Sequence, residues 1–252
     1  MKNRFIIIII LLVASATGAN SQSYFGFRAG LNATRVSYVD EVYKEFYSPG
    51  VKPGYTGGVI LFLEHKNKFG LYTEFLYSMK GKYVESDAND YQSNSATYNY
   101  LDIPILFRVK FNHKKAGLYL QFGPEFNYWL GGKGTFKVYE PDRDTFTYYD
   151  YKVNFSEPIY ETEYLNTPDA NRLQLGICVS SGMTWEMKNA NFLALDVRFS
   201  MGHTFLGGYE TASLPNIGIE ENFEYTNNVL SASLIYYFDI MEKARLGKNK
   251  YK

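Results

Sequence analysis

From residue 24 onward, apolar and polar residues alternate with a period of two, the spacing of strands whose two faces meet different surroundings. In residues 24–38 one row holds Phe25, Phe27, Ala29, Leu31 and Ala33, and the other Gly26, Arg28, Gly30, Asn32 and Thr34. Residues 98–111 set Leu101, Ile103, Ile105, Phe107 and Val109 against Asp102, Pro104, Arg108 and Lys110. Residues 117–130, 172–187 and 192–205 follow the same rule, and 55–64, 69–83 and 228–238 follow it with more noise. The pattern predicts eight strands, most of them long.

The connections alternate in length. Short links at 65–68, 112–116 and 188–191 follow strands two, four and six, and long ones at 39–54, 84–97, 131–171 and 206–226 follow the others. This is the plan of an all-β, eight-stranded, antiparallel, transmembrane up-and-down β-barrel with short periplasmic turns and long extracellular loops. A soluble barrel also alternates, with its apolar row inside. Three features favour the membrane. Phe25, Phe69, Phe111, Trp185 and Phe238 end the apolar row at the short-turn side, and Tyr55, Tyr83, Tyr128 and Phe205 at the loop side, as two interfacial girdles would. The polar row is rich in glycine, which suits a crowded lumen. The last strand closes on Tyr236, Tyr237 and Phe238. Pro104 and Pro124 fall inside neighbouring strands about one position out of step, which predicts a bulge or a widened ladder there.

Residues 1–21 read as a secretory signal peptide: Lys2 and Arg4, a short apolar run, then small residues. Residues 22–238 are then the barrel and 239–252 a basic periplasmic tail. The expected location is the outer membrane of a Gram-negative bacterium, with outer-membrane lipid as the surrounding partner and a monomer as the expected state.

The segments GFRAGLN (26–32), LDIPILFR (101–108), QFGPEFNYWL (121–130) and LALDVRF (193–199) resemble, in matching order, the recurrent motifs of the PorT-like, porin-family outer-membrane β-barrels. The resemblance covers about residues 24–238. It implies the barrel, and through one branch of that family an accessory role in protein secretion or envelope assembly.

The inward row carries both charge signs: Arg28, Glu74, Lys80, Asp102, Arg108, Glu125, Asp196 and Arg198, with Glu64, Lys82, Lys110 and Glu186 towards the ends. Buried charges need partners, and eight strands leave room only for side chains, so a paired, plugged lumen is expected rather than a conduit. Lys plus Arg and Asp plus Glu are both 26, so net charge gives no nucleic-acid footprint. The single Cys178 excludes an intrachain disulfide and reads as a small buried residue. No cofactor motif or metal-ligand spacing is present, and no enzyme is expected. The nearest thing to a catalytic pair is Ser200 with His203, in the manner of an outer-membrane lipid hydrolase, and such a spacing is more often incidental.

The loops carry the distinctive chemistry. Loop three, about 41 residues, is long enough to be functional. Tyr139, Glu140, Asp142, Asp144, Tyr148, Tyr149, Asp150, Tyr151, Glu161 and Glu163 make it a candidate partner-binding loop, since Tyr offers contact area at low entropic cost. Alternation through 145–154 predicts that strands five and six continue above the membrane as a hairpin. An extracellular or secretion-system protein is one occupant of such a surface. Divalent cations bridging its acids to lipopolysaccharide phosphates are another. The short-turn side is basic, with Lys66, Lys68, Lys114, Lys115 and Lys188.

Overall fold

A computed structural model describes residues 21–39, 41–65, 68–86, 92–113, 116–161, 163–187, 191–208, 212–214 and 219–240. The signal-peptide segment 1–20, the tail from 241, Lys66, Lys114, Lys115 and Lys188 lie outside the described residues. The strands are β1 (Ser21–Tyr38), β2 (Tyr47–Gly50), β3 (Lys52–His65), β4 (Phe69–Ser86), β5 (Ser93–His113), β6 (Ala116–Glu140), β7 (Thr145–Asn154), β8 (Tyr164–Asn166), β9 (Leu173–Glu186), β10 (Phe192–Gly202), β11 (Ala212–Leu214), β12 (Ile219–Glu221) and β13 (Tyr225–Asp239). A short helix, α1 (Glu41–Phe46), leads into β2.

Eight of these form a closed antiparallel ring, β1-β3-β4-β5-β6-β9-β10-β13, shut by the pairing of β13 back onto β1. Closure leaves no free edge within the wall. The apolar row points outward: Phe27, Leu31, Phe75, Phe122, Val179 and Leu234 are exposed, while the alternate polar row is buried. This orientation is stable only if lipid covers the wall, and it excludes the soluble-barrel arrangement. The predicted girdle residues Phe25, Phe69, Phe111, Trp185 and Phe238 at one end, and Tyr55, Tyr128 and Phe205 at the other, are all exposed; Tyr83 is half-buried.

The prolines leave the register intact. Ile103 opposes Phe126 and Pro104 opposes Glu125, and pairing resumes at Phe107 and Phe122 with Ile105 and Leu106 unpaired on that side. A ladder gap, not a bulge, accommodates the two missing donors. The bulge lies higher up: Asn99 pairs with Gly131 and Tyr100 with Trp129, leaving Leu130 as the extra residue. Gly131 has φ 151, a left-handed backbone that glycine adopts without strain.

At that bulge the wall divides. Below it β6 pairs with β9 up to Tyr128 and Leu173; above it β6 pairs with β7 from Lys133 opposite Lys152 to Glu140 opposite Thr145. The extracellular hairpin therefore joins the fifth barrel strand to a new strand, β7, and not to the sixth barrel strand as the sequence suggests. The sheet then runs on through β8, β11 and β12.

Candidate functional site

The lumen is built in three layers. The periplasmic layer is aromatic: Tyr24, Phe62, Tyr72, Tyr119 and Tyr237 pack with Ile60, Leu106, Cys178, Ala194 and Ile235. Arg108 sits among these rings, with its guanidinium carbon 4.5 Å from the centroids of Phe62 and Tyr72 and 4.0 Å from that of Tyr119. It donates to the Tyr237 hydroxyl at 2.7 Å, and with the Gln121 amide turned so that its oxygen faces the guanidinium, to that oxygen as well. Arg108 was expected to pair with a carboxylate. Its charge is instead met by ring faces and hydroxyl oxygen, because inward positions beside it on β3, β4, β6 and β13 are aromatic. Lys110 pairs with Glu64 at 3.2 Å nearby.

The middle layer holds most of the predicted charge network. Glu74 bridges two arginines: Arg28 Nη1 donates to Oε1 at 3.1 Å and Arg198 Nη1 to Oε2 at 2.5 Å, while the Tyr72 hydroxyl donates to Oε1 at 2.5 Å. Asp196 accepts from Arg28 Nη2 at 2.7 Å and from Tyr119 at 2.8 Å, and Arg28 Nε donates to Ser233 Oγ at 3.1 Å. Lys80 donates to Asp102 at 2.9 Å and to Asn127 at 2.7 Å. Glu125 is buried and lines the same small cavity as Lys80, Asp102 and Arg198, without an ion pair among the described residues. Two voids among the described inward side chains hold about 20 Å³ and 10 Å³, room for roughly one water each. Glu186, assigned to the inward row from its parity, is exposed at the end of β9.

The extracellular layer is a second apolar core that sequence periodicity does not reveal. Val36, Tyr38, Val84, Tyr98, Tyr100, Trp129, Phe136, Tyr151, Leu165, Leu206, Leu214, Ile219, Phe223 and Tyr225 bury one another. The described parts of loops three and four thus fold inward as a lid over the barrel mouth. Loop-four Glu221 is buried and accepts from Lys82 of β4 and from Asn94, and Tyr151 donates to Asn94 at 2.9 Å. Tyr151, predicted to belong to the partner-binding surface, is 2% exposed and belongs to this core. The available signal was the inward parity of Trp129, Phe223 and Tyr225 above the girdle level; Phe136 has outward parity and turns inward only through the bulge at Leu130.

What remains of the candidate loop surface is the outward face of the β6–β7 hairpin. Register places Tyr139 opposite Phe146, Lys137 opposite Tyr148 and Thr135 opposite Asp150 on that face. Tyr148 is 64% exposed, Tyr139 46% and Phe146 40%. Asp144, in a left-handed conformation at φ 49, turns the chain after Pro141–Arg143 and accepts from the Tyr139 hydroxyl at 2.6 Å, which raises that phenol's pKa. Glu140 is held below the usual carboxylate range, first by the Thr147 side chain and then by Arg143 and Tyr149. Tyr149 is half-buried on the opposite face, and Asp142, Glu161 and Glu163 are exposed. Among the described residues no three acids, histidines or cysteines converge as a metal site. Ser200 is buried towards the lumen and His203 is exposed beyond the end of β10, with no hydrogen bond between them among the described residues. Cys178 is buried, and burial among apolar neighbours is the state its position predicts.

A ring of eight strands with an apolar exterior and a charged interior defines an outer-membrane β-barrel protein. Residues 17–204 match the model of the family described as outer membrane protein beta-barrel domain, and the chain belongs to that family. Its location is the outer membrane of a Gram-negative bacterium. Similar solved structures include Neisserial surface protein A (11% identity, TM-score 0.40, covering 85% of this chain and 97% of that one). OprG from Pseudomonas aeruginosa is similar at 9% identity and TM-score 0.44, covering 87% and 98%. Ail of Yersinia pestis is similar at 11% identity and TM-score 0.38, covering 86% and 99%. No curated protein sequence matches the chain.

Proposed function

We propose that this protein is a non-conducting, non-enzymatic barrel that displays the β6–β7 hairpin as a recognition surface for a protein outside the cell. The observation that carries the reading is the outward face of that hairpin, where Tyr139, Phe146 and Tyr148 stand exposed on a two-stranded ribbon held by the barrel beneath. Large aromatics displayed on a rigid support offer contact area at low entropic cost. The filled lumen supports a role outside the pore, because Arg28 and Arg198 are both paired to Glu74 across it and the void beside them holds only about 20 Å³. A photo-crosslinking amino acid at Tyr148 in intact cells tests the reading. Reproducible adducts at Tyr148, absent when the same group replaces the buried Tyr151, are expected; no adduct from Tyr139, Phe146 or Tyr148 would leave a purely structural role. The four segments resembling PorT-like barrels support a second reading, an accessory role in secretion, which predicts that deletion of the gene lowers the amount of secreted protein.

A further inference from the structure

A cleft of about 520 Å³ opens on the outward face of the wall where β3, β5, β6 and β7 meet, and it lies apart from the aromatic face above it. Its cations are Lys52, Lys133 and Lys152, set around the hydroxyls of Ser95, Thr97 and Thr135. Lys133 and Lys152 stand directly opposite each other in the β6–β7 ladder. Opposed residues on one face have Cβ atoms about 5 Å apart, and like charges so placed repel. No ion pair among the described residues involves any of the three lysines. Two acids, Asp150 and Glu163, also line the cleft, and Asp150 accepts from the Thr135 hydroxyl at 2.6 Å; against three lysines the lining keeps a positive balance. Lys52 reaches its place by crossing Gly81, where a Cβ would stand 3.0 Å from Lys52 Cγ, and its ammonium donates to Ser95 Oγ at 2.6 Å. A repulsive pair without an ion-pair partner among the described residues, in a cleft that also offers the hydroxyls of Ser95 and Thr97, is the arrangement an anion would stabilise.

The height of the cleft identifies the anion. Lys133 lies five residues beyond the outward girdle residue Tyr128, with Leu130 taken up by the bulge. At about 3.3 Å per residue and a strand tilt near 40°, the lysines stand about 10 Å above that girdle, in the headgroup layer outside the hydrocarbon. They face the bilayer side of the wall, where phosphates of outer-leaflet lipids are the available anions. We infer that Lys52, Lys133 and Lys152 bind a phosphate of a phosphorylated outer-leaflet glycolipid directly, with the hydroxyls of Ser95 and Thr97 as further donors. This site needs no bridging metal, and it stands whether or not the hairpin has a protein partner.

The test uses the full-length folded barrel in detergent, titrated with diphosphoryl lipid A and read by native mass spectrometry. The wild type is expected to bind about tenfold or more tightly than the Lys133→Gln, Lys152→Gln double variant, the loss of two charge-assisted contacts. Dephosphorylated lipid A should bind both proteins equally, and millimolar inorganic phosphate should leave the lipid adduct in place. Equal lipid A affinity in wild type and double variant would overturn the inference, and so would complete displacement by inorganic phosphate. Heat-modifiable migration verifies folding of the variant; if it fails to fold, the single variants Lys152→Gln and Lys52→Gln carry the same expected direction.

Discussion

Lys82 of β4 and Glu221 of β12, 139 residues apart in the chain, form an ion pair with neither side chain more than 1% exposed. The pair ties loop four to the barrel mouth, against the rings of Phe223 and Tyr225, whose centroids lie 5.7 Å and 4.9 Å from the ammonium. Removing one partner strands the other charge in an apolar surrounding. Lys82→Met and Glu221→Leu should each destabilise the lid by about 3–5 kcal/mol, and the double variant by much less. Limited proteolysis within residues 206–226 reads this: rapid cleavage in the single variants and slow cleavage in the double variant are expected.

Glu74 answers two arginines at once, so its loss leaves both undercompensated. Glu74→Gln should lower the unfolding midpoint in urea, by about 3–5 kcal/mol of stability. Wild-type protein in planar bilayers should show negligible conductance, because the voids described beside its inward charges hold only about 20 Å³ and 10 Å³. Large, stable single-channel steps from the wild type would show that the charge layer does not close the pore.

The two tryptophans report different solvents. Trp129 is fully buried in the extracellular core, whereas Trp185 is 37% exposed on the outward wall near the short-turn end. Brominated lipids should quench Trp185 strongly and Trp129 weakly, so Trp185→Phe should remove most of the quenching. Retained quenching in that variant would mean that lipid reaches the lid.

Two tyrosines of β7, three residues apart, should behave oppositely. Tyr151→Ala removes a buried ring and its bond to Asn94, a loss of about 3–5 kcal/mol. Tyr148→Ala should change stability by no more than about 0.5 kcal/mol while weakening any partner contact made by the hairpin. Chemical unfolding of the two variants side by side checks the contrast.

The barrel wall is legible in the sequence because the membrane enforces a strict two-residue rule: Phe25 to Leu31 and Leu193 to Phe199 must face lipid, and their neighbours must not. Arg28, Glu74, Lys80, Asp102, Asp196 and Arg198 follow from parity in the same way. Arg108 does not, since parity says which side a residue faces and not which neighbours meet it there. The lid is hidden for a related reason. It depends on β6 exchanging β9 for β7 at the bulge, and on Glu221 reaching Lys82, both contacts between segments distant in the chain. The lysine cleft needs the register of Lys133 against Lys152, which no pattern along one strand contains.

The seam of the ring sets a constraint on how the molecule is made. β1 finds one of its two neighbours in the last strand, over an unbroken register from Tyr24 opposite Asp239 to Tyr38 opposite Tyr225. Until β13 is delivered, one edge of β1 stays unsatisfied, and in hydrocarbon an open edge is prohibitive. Insertion and closure must therefore await the delivery of β13, and a chain truncated before Tyr225 has no stable place in the bilayer.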